Sequence, residues 1–374
     1  LRMEKGLLAG KMDKGKRPRM LIRGANLGIH MKLTDIIREH ALAFLPAMLL
    51  FRLKGVCRDW KHKISSPFFA HNQANSFHTI SGLFCQPLGK PPSFISLDKT
   101  LYGVPDPSLA FLNEQVDIRA SSNGLLCCQA RTGEKPYWIC NPVTKQSKRI
   151  SNPNANHGSY PLIVLVHNPS PQNFVADYKL VCAFPSSDFD DAYEFEIYSS
   201  ASESWKVSGE IFFYGDRKFE PNSGVHVNGV VYWKMLFGGI FAFDIAKERS
   251  QVIESYGPKG SLGVVGERLC KTHLTGKTLR VSLLSNIYTN TMGMYQKART
   301  WEEKCHTQLD TVPGDAQPGK HHSVVVVTAD NLVAIQGGCM LFSYDMATGE
   351  TSTLAPADET GTFYFPYVNS LVCL

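Results

Sequence analysis

At 374 residues, 43% hydrophobic and 19% charged, the chain has the balance of a folded globular protein, which excludes wholesale disorder and leaves room for two or three ordinary domains or for one large repeat domain beside a small one. The formal charge of +6 is unevenly held: residues 1–32 carry nine Lys or Arg against Glu4 and Asp13, so the rest of the chain sums to −1. A body without basic surplus does not suit phosphate recognition, and nucleic-acid binding is excluded for all but the first segment.

Residues 1–32 mix Gly, Lys and Arg with scattered Leu and Ile and show no sustained period, so a disordered tail is expected. Within it, Lys16-Arg17-Pro18-Arg19 reads either as a solvated basic stretch or as a nuclear import signal. From Leu33 the pattern turns helical through Ile36, Ile37, Ala41 and Phe44, until Leu45-Pro46 interrupts it. A second short helix can start at Pro46, where a missing N–H costs nothing, and run through Leu49, Leu50 and Leu53. A third sets Val56, Trp60 and Ile64 one turn apart and stops at Ser65-Ser66-Pro67. Three helices this short enclose too little interior to fold alone, so their apolar sides need a partner, either the rest of the chain or another protein. The longest apolar run, residues 41–51, contains Pro46 and is too short to span a bilayer, and no secretory core precedes it; a soluble, intracellular protein without membrane contact is expected.

After about Asn75 the helical period gives way to short apolar runs separated by turn signals, an all-β pattern. A unit recurs: an Asn-Gly or related turn, an apolar strand, a strand ending in an aromatic and Asp or Asn, a polar turn and a closing strand. One copy runs from Asn123-Gly124-Leu125-Leu126 to Trp138-Ile139-Cys140-Asn141, another from Asn228-Gly229-Val230-Val231 to Phe241-Ala242-Phe243-Asp244, and a third from Asn331-Leu332-Val333 to Phe342-Ser343-Tyr344-Asp345. Weaker copies place Asp98 and Tyr198 at the same point, with Ser204-Trp205 and Thr300-Trp301 in closing strands. The markers are spaced 43, 57, 46 and then 101 residues apart, the last interval crossing one degenerate unit near Met294. Four strands in each repeat of this length describe a β-propeller blade, and six irregular blades fill the region. The terminal apolar run from Phe363 to Val372 is expected to close the ring by pairing into the first blade.

Catalytic readings find little support. The ten cysteines form no Cys-x-x-Cys pair or zinc spacing, and most sit in apolar runs where Cys packs as a small hydrophobe in a reducing compartment, so no metal and no cofactor are expected. Residues 314–321 approach a phosphate-binding loop, but His321 stands where Ser or Thr must ligate Mg²⁺ and a β-like run follows instead of a helix. Gly276-Lys277-Thr278 reads as a hairpin turn, and His321-His322 as an exposed strand start. The acidic run Asp188-Phe189-Asp190-Asp191 lacks the central Gly of a calcium loop and reads as a solvated loop leading into a strand. No Gly-x-Ser-x-Gly or His-Glu-x-x-His occurs. Phe212-Phe213-Tyr214, or Tyr288 with Tyr295, either pack inside blades or line a ligand-binding face.

Taken together, Leu45-Pro46-Ala47, Leu50, Arg52, Val56-Cys57-Arg58-Asp59-Trp60 and Ile64-Ser65-Ser66-Pro67-Phe68-Phe69 resemble the F-box proteins, and Ser122-Asn123-Gly124-Leu125-Leu126-Cys127, Asn141-Pro142-Val143-Thr144-Lys145, Asn228-Gly229-Val230-Val231-Tyr232-Trp233 and Tyr367-Val368-Asn369-Ser370-Leu371-Val372 resemble the plant group with an F-box-associated β domain. The resemblance implies an α+β multidomain chain: a basic tail (1–32), a small three-helix F-box motif (33–73) and an all-β, kelch-like propeller domain (76–374). It implies a non-catalytic substrate receptor in the nucleus and/or cytoplasm, whose helices dock the Skp-family adaptor of a cullin-RING ubiquitin ligase and whose β domain binds a target protein through residues left open here. Leu33, Ile37, Leu42, Leu45, Pro46 and Leu50 would then meet the adaptor, while Val56, Cys57, Trp60 and Ile64 would knit the helices together. The sequence departs from the family at Leu33-Thr34, at Asp35, at His40-Ala41-Leu42 and at Leu49, where a polar residue usually caps the second helix. The alternative reading is a stand-alone propeller that binds a glycan or small ligand with the helices as a cap, and a more distant one is a propeller enzyme of the copper-oxidase kind.

Overall fold

Two Asn-Gly pairs set the pattern on which the β region is built. Asn123 and Gly124 lie at φ 43° and 90°, and Asn228 and Gly229 at 47° and 80°, the paired positive φ that a two-residue hairpin requires. They join β3 (Val116–Ser122) to β4 (Leu125–Ala130), and β11 (Val225–Val227) to β12 (Val230–Lys234). The recurrent Asp or Asn closes the third strand of a sheet: Asn141 ends β5 (Tyr137–Asn141), Asp244 ends β13 (Ile240–Asp244) and Asp345 ends β21 (Met340–Asp345). In each case the side-chain oxygen accepts the backbone N–H two residues on, from Val143 at 2.9 Å, Ala246 at 3.0 Å and Ala347 at 2.7 Å, so the side chain itself shapes the turn into the fourth strand.

The computed structural model describes residues 37, 41–97, 103–158, 161–215, 218–236, 238–253, 260–285, 300–309, 322–327, 331–357 and 361–374. The basic tail, Leu33, Ile36, Asp98, Tyr288, Met294, Tyr295 and the loop 314–321 fall outside these residues. Six antiparallel sheets follow one another along the chain. Blade I holds β1 (Ile80–Pro87) and β2 (Ser93–Ser96), and blade II holds β3, β4, β5 and β6 (Gln146–Arg149). Blade III is β7 (Leu162–His167), β8 (Tyr178–Pro185), β9 (Ala192–Ser199) and β10 (Ser204–Phe213). Blade IV consists of β11, β12, β13 and β14 (Arg249–Ile253), and blade V of β15 (Ser261–Val265), β16 (Arg268–Thr275), β17 (Thr278–Leu284) and β18 (Trp301–Gln308). Blade VI is β19 (His322–Val327), β20 (Leu332–Gly337), β21 and β22 (Thr351–Pro356). The unit that looked degenerate is thus a full four-stranded sheet, its third strand ending at Leu284 without the Asp or Asn that closes the third strands of blades II, IV and VI.

The final strand, β23 (Thr362–Val368), returns to blade I and pairs with β1 from Thr362 opposite Pro87 to Val368 opposite Ile80. It also touches β3 and β19, which makes it the innermost strand of that blade and closes the ring as the sequence led us to expect. The cores confirm the radial arrangement, because each seam between adjacent blades carries its own cluster. Cys128 faces blade I while its neighbour Cys127 faces blade III, and Phe195 of blade III meets Trp233, Phe241 and Phe243 of blade IV. Sheets covered on both faces explain why strands such as β4 are buried at every position instead of alternating.

At the seam between blades II and III a polar tie is added to the apolar packing. Buried His157, in the connection after β6, approaches Glu196 Oε2 with Nε2 at 2.8 Å and the Tyr137 hydroxyl with Nδ1 at 3.1 Å. The Glu196 carboxylate also accepts the backbone N–H groups of Asn154 at 3.0 Å and Ala155 at 3.3 Å. Burial alone would raise the Glu196 pKa, but the hydrogen bonds from His157 and Asn154 outweigh it and bring the group below its ordinary value. A depressed carboxylate contributes stability that is present above the unfolded value near 4.5 and is lost as pH falls through the folded value.

Two outcomes follow from closure and from this tie. Deleting residues 363–374 should give chains that aggregate or melt without cooperativity in circular dichroism; a truncated chain melting as sharply as the full one, at the same temperature, would refute closure. Glu196→Gln should lower stability at neutral pH by about 1–3 kcal/mol, since it misplaces buried donors, and should flatten the acid limb of the melting-temperature profile below about pH 4.5.

Candidate functional site

The helical segment consists of short pieces, each ended by its own chemistry. A 3-10 turn at Leu42–Phe44 leads to Pro46, extended at φ −61°, and α1 (Ala47–Leu53) begins after it with no side chain as a cap. Helix α2 (Arg58–Ile64) starts at Cys57, whose Sγ accepts the Trp60 N–H at 3.5 Å. The Ser65-Ser66-Pro67 stop also starts the next helix: Ser66 Oγ accepts the Phe69 N–H at 3.2 Å and Pro67 occupies the first helical position of α3 (Pro67–Ser76), where its missing N–H is not needed. Helix α3 is one that the sequence pattern did not suggest, because Pro67 was read only as a breaker.

The structure redistributes the residues expected to form the docking site. Leu33 lies outside the described residues, and Ile37 and Leu45 are half-buried. Leu42, Pro46 and Leu50, expected to meet a second protein, are buried instead within this chain. Leu42 and Leu50 share one core with Phe84, Leu112, Tyr367 and Leu371, so blades I and II take the place assigned to an adaptor. Among the residues expected to knit the helices, Ile64 is buried and Trp60 half-buried, but Val56 is 62% exposed and Cys57 is exposed. The reason is phase: Cys57 is extended at φ −157°, ψ 167°, so Val56 belongs to the turn before α2 and does not share the face of Trp60 and Ile64.

One buried side chain ties the helices to the ring. The Gln73 Oε1 accepts the Leu371 N–H at 2.7 Å, and its Nε2 donates to Leu45 O at 3.0 Å and Asn369 O at 3.4 Å. Asn369 O also accepts the Ala47 N–H at 3.0 Å. On the other side of this terminal segment, Asn141 Nδ2 donates to Ser370 O at 3.0 Å and Val372 O at 2.8 Å, while the Tyr367 hydroxyl donates to Asn141 Oδ1 at 3.1 Å. His71 of α3 stacks on Phe174 of the β7–β8 loop, ring centres 4.4 Å apart, and its Nε2 lies 3.0 Å from Pro171 O. The helical unit therefore sits on the propeller face formed by the turns between first and second and between third and fourth strands. Nothing in the local sequence marked Gln73; Asn369 stood in the terminal motif but gave no sign of its partner.

What remains uncovered is apolar with a basic margin. Phe44, Val56 and Phe68 are each 62% exposed, and Arg52, Arg58, Lys61 and His62 are exposed as well, in a stretch, residues 41–73, whose only acid is Asp59. Lys54 lies with its Nζ 4.6 Å from the centre of the Phe51 ring, and burial together with the Lys61 charge lowers its pKa. Among the described residues no cluster of His, Cys, Asp or Glu is placed to hold a metal ion, and no helix is long and apolar enough to cross a membrane.

Comparison with known proteins matches residues 99–335 to the family described as the F-box associated beta propeller domain. The F-box protein At5g49610 of Arabidopsis thaliana is 30% identical over 216 residues, 54% of this chain and 58% of that protein. F-box protein At5g07610 of the same plant is 30% identical over 219 residues, 53% and 50% of the two chains. The F-box/kelch-repeat protein At5g43190, also from Arabidopsis thaliana, is 29% identical over 216 residues, 55% and 49%. The matched region thus spans about half the length of these curated relatives.

Gln73→Ala should strip partners from the Leu371 N–H and the Leu45 carbonyl, at about 1–3 kcal/mol for each buried group left unsatisfied. Amide exchange followed by mass spectrometry should show residues 47–76 losing protection while the propeller strands keep theirs. Equal loss across both parts, or none, would count against a clamp between them.

Proposed function

Since this chain belongs to the family of F-box-associated β-propeller proteins, we propose that it is the substrate-recognition subunit of a Skp-cullin-F-box ubiquitin ligase. The helical unit docks a Skp-family adaptor, the propeller binds a target protein, and ubiquitin is transferred by enzymes that the scaffold brings near. The rate gain comes from effective concentration, and no side chain of this chain takes part in the chemistry. The observation that carries the reading is that the helical segment leaves the large apolar side chains Phe44, Val56 and Phe68 exposed, uncovered by the chain's own propeller, together with the basic side chains of Arg52, Arg58 and Lys61. Such a surface suits a partner groove that is apolar with an acidic rim. We place this role in the nucleus and/or cytoplasm, in keeping with the buried free thiols of Cys127, Cys128, Cys140, Cys182 and Cys270.

A second reading has one observation in its favour. Leu42, Ala47 and Leu50 are covered by blades I and II, as they would be in a propeller that binds a small ligand and merely wears its helices as a cap. The two readings part at the exposed side chains. Under the receptor reading, the full chain co-purifies with a Skp-family adaptor, and the Phe44→Glu/Val56→Glu variant loses it by at least about tenfold in affinity, as loss of a central apolar contact does, with an unchanged melting temperature. A wild-type chain that captures no more adaptor than this variant would leave the cap reading standing. Leu50→Ala is the wrong probe, because it opens a cavity in the shared core and would weaken adaptor binding only through stability.

A further inference from the structure

Consecutive antiparallel hairpins alternate ends, so the β8–β9 loop and the exit of β10 lie on the face opposite the helical unit. Two aromatic side chains stand in the open there: Phe213, the last residue of β10, is 62% exposed, and Phe189, in the β8–β9 loop, is 46% exposed. Their rings meet edge to face, centres 5.7 Å apart and planes at 73°. Large apolar side chains gain nothing from water, and one further member of β10, Ile211, extends the patch on the same side of the strand at 38% exposure.

The patch is held firmly from beneath. Ser186 Oγ accepts the N–H groups of Asp188 and Phe189, each at 3.1 Å, and the Tyr214 N–H donates to Asp191 O at 2.8 Å, so loop and strand end are bonded together. Phe212 packs inward on Phe241 at 4.5 Å and Phe219 at 5.9 Å, and Tyr214 on Tyr193 at 4.7 Å, which fixes the backbone on both sides of Phe213. A rigid aromatic pair loses little freedom on binding, which is the property of side chains that dominate an interface. Around it the loop carries three exposed carboxylates, Asp188, Asp190 and Asp191. The charges of Asp191 and Asp190 reach Tyr214, whose phenol is held above its ordinary pKa by burial and then by those two carboxylates.

We propose that the Phe189–Phe213 pair and its rim of Asp188, Asp190 and Asp191 form the target-docking surface, and that it takes a basic protein segment in which Lys or Arg alternates with apolar side chains. The acidic rim selects against nucleic acids and anionic membranes and complements a cationic peptide. This deepens the receptor reading above and rests on it for the fate of the bound target. Binding itself does not depend on an adaptor.

Fluorescence anisotropy on the full chain, with no adaptor present, tests the surface. The probe is a fluorescein-labelled peptide alternating Arg and Lys with Leu and Phe, and the control has Glu in place of each Arg and Lys. The basic peptide should bind at least about tenfold more tightly than the acidic one, with an affinity that falls as salt is raised. Phe213→Ser and Asp188→Asn/Asp190→Asn should each weaken it at least about tenfold with unchanged melting, since these side chains are exposed. Equal binding of the two peptides, or full affinity in both variants, overturns the proposal. Binding that emerges only after deletion of residues 1–32 gives the surface to the chain's own basic segment and overturns it as well. A chain that binds the peptide but captures no Skp-family adaptor costs the receptor reading and leaves this surface in place.

Discussion

A ring of sheets is stable only when its last edge is paired, and here the strand that pairs it also anchors the helices. β23 supplies the innermost strand of blade I, and residues 369–374 continue from it across one face of the propeller between Asn141 on one side and Gln73 on the other. A strand edge with unpaired N–H and C=O groups would invite association with other chains. A helical unit with an uncovered apolar side would do the same. One terminal segment removes both liabilities, which makes the propeller and the helices parts of one cooperative structure.

Much of this was legible in the sequence wherever a side chain acts on its own backbone. Asn123-Gly124 and Asn228-Gly229 announce hairpins because only a few residue types tolerate consecutive positive φ. Asn141, Asp244 and Asp345 announce the third turn because their oxygens bond two residues ahead. Blade V escaped this reading because Ser285 stands at the corresponding point and satisfies itself across the sheet: its N–H donates to Thr300 O at 2.9 Å. Pro67 misled for a related reason, since the residue that ends one helix is equally suited to open the next.

The docking side was less legible, and the cause is general. Periodicity along α1 and α2 tells which residues share a face but not what covers it, and a helix cannot distinguish its own propeller from another protein. Leu42 and Leu50 satisfy their apolar surface against Phe84 and Tyr367, partners more than thirty and three hundred residues away in sequence. Val56 shows the converse, because a single extended residue at Cys57 broke the phase and turned it outward. Gln73 was invisible for another reason: a buried amide earns its place through four hydrogen-bonding groups drawn from two distant segments, and no local pattern encodes that.

The burial that overturned part of the docking assignment also bears on how a receptor of the proposed kind would work. Were the helices joined to the propeller by a flexible link, a captured target would sweep a wide volume, and its effective concentration at the transferring enzyme would fall steeply with that freedom. Here Leu42, Ala47, Leu50 and Ile64 share a core with blades I and II, and His71 and Phe174 bind α3 to blade III. The helical segment that exposes Phe44, Val56 and Phe68 is thus packed directly on the propeller, on the face opposite the aromatic pair of Phe189 and Phe213. Sacrificing Leu42 and Leu50 as contacts for an adaptor fixes the orientation of whatever the remaining surface engages, and that orientation is what proximity catalysis requires.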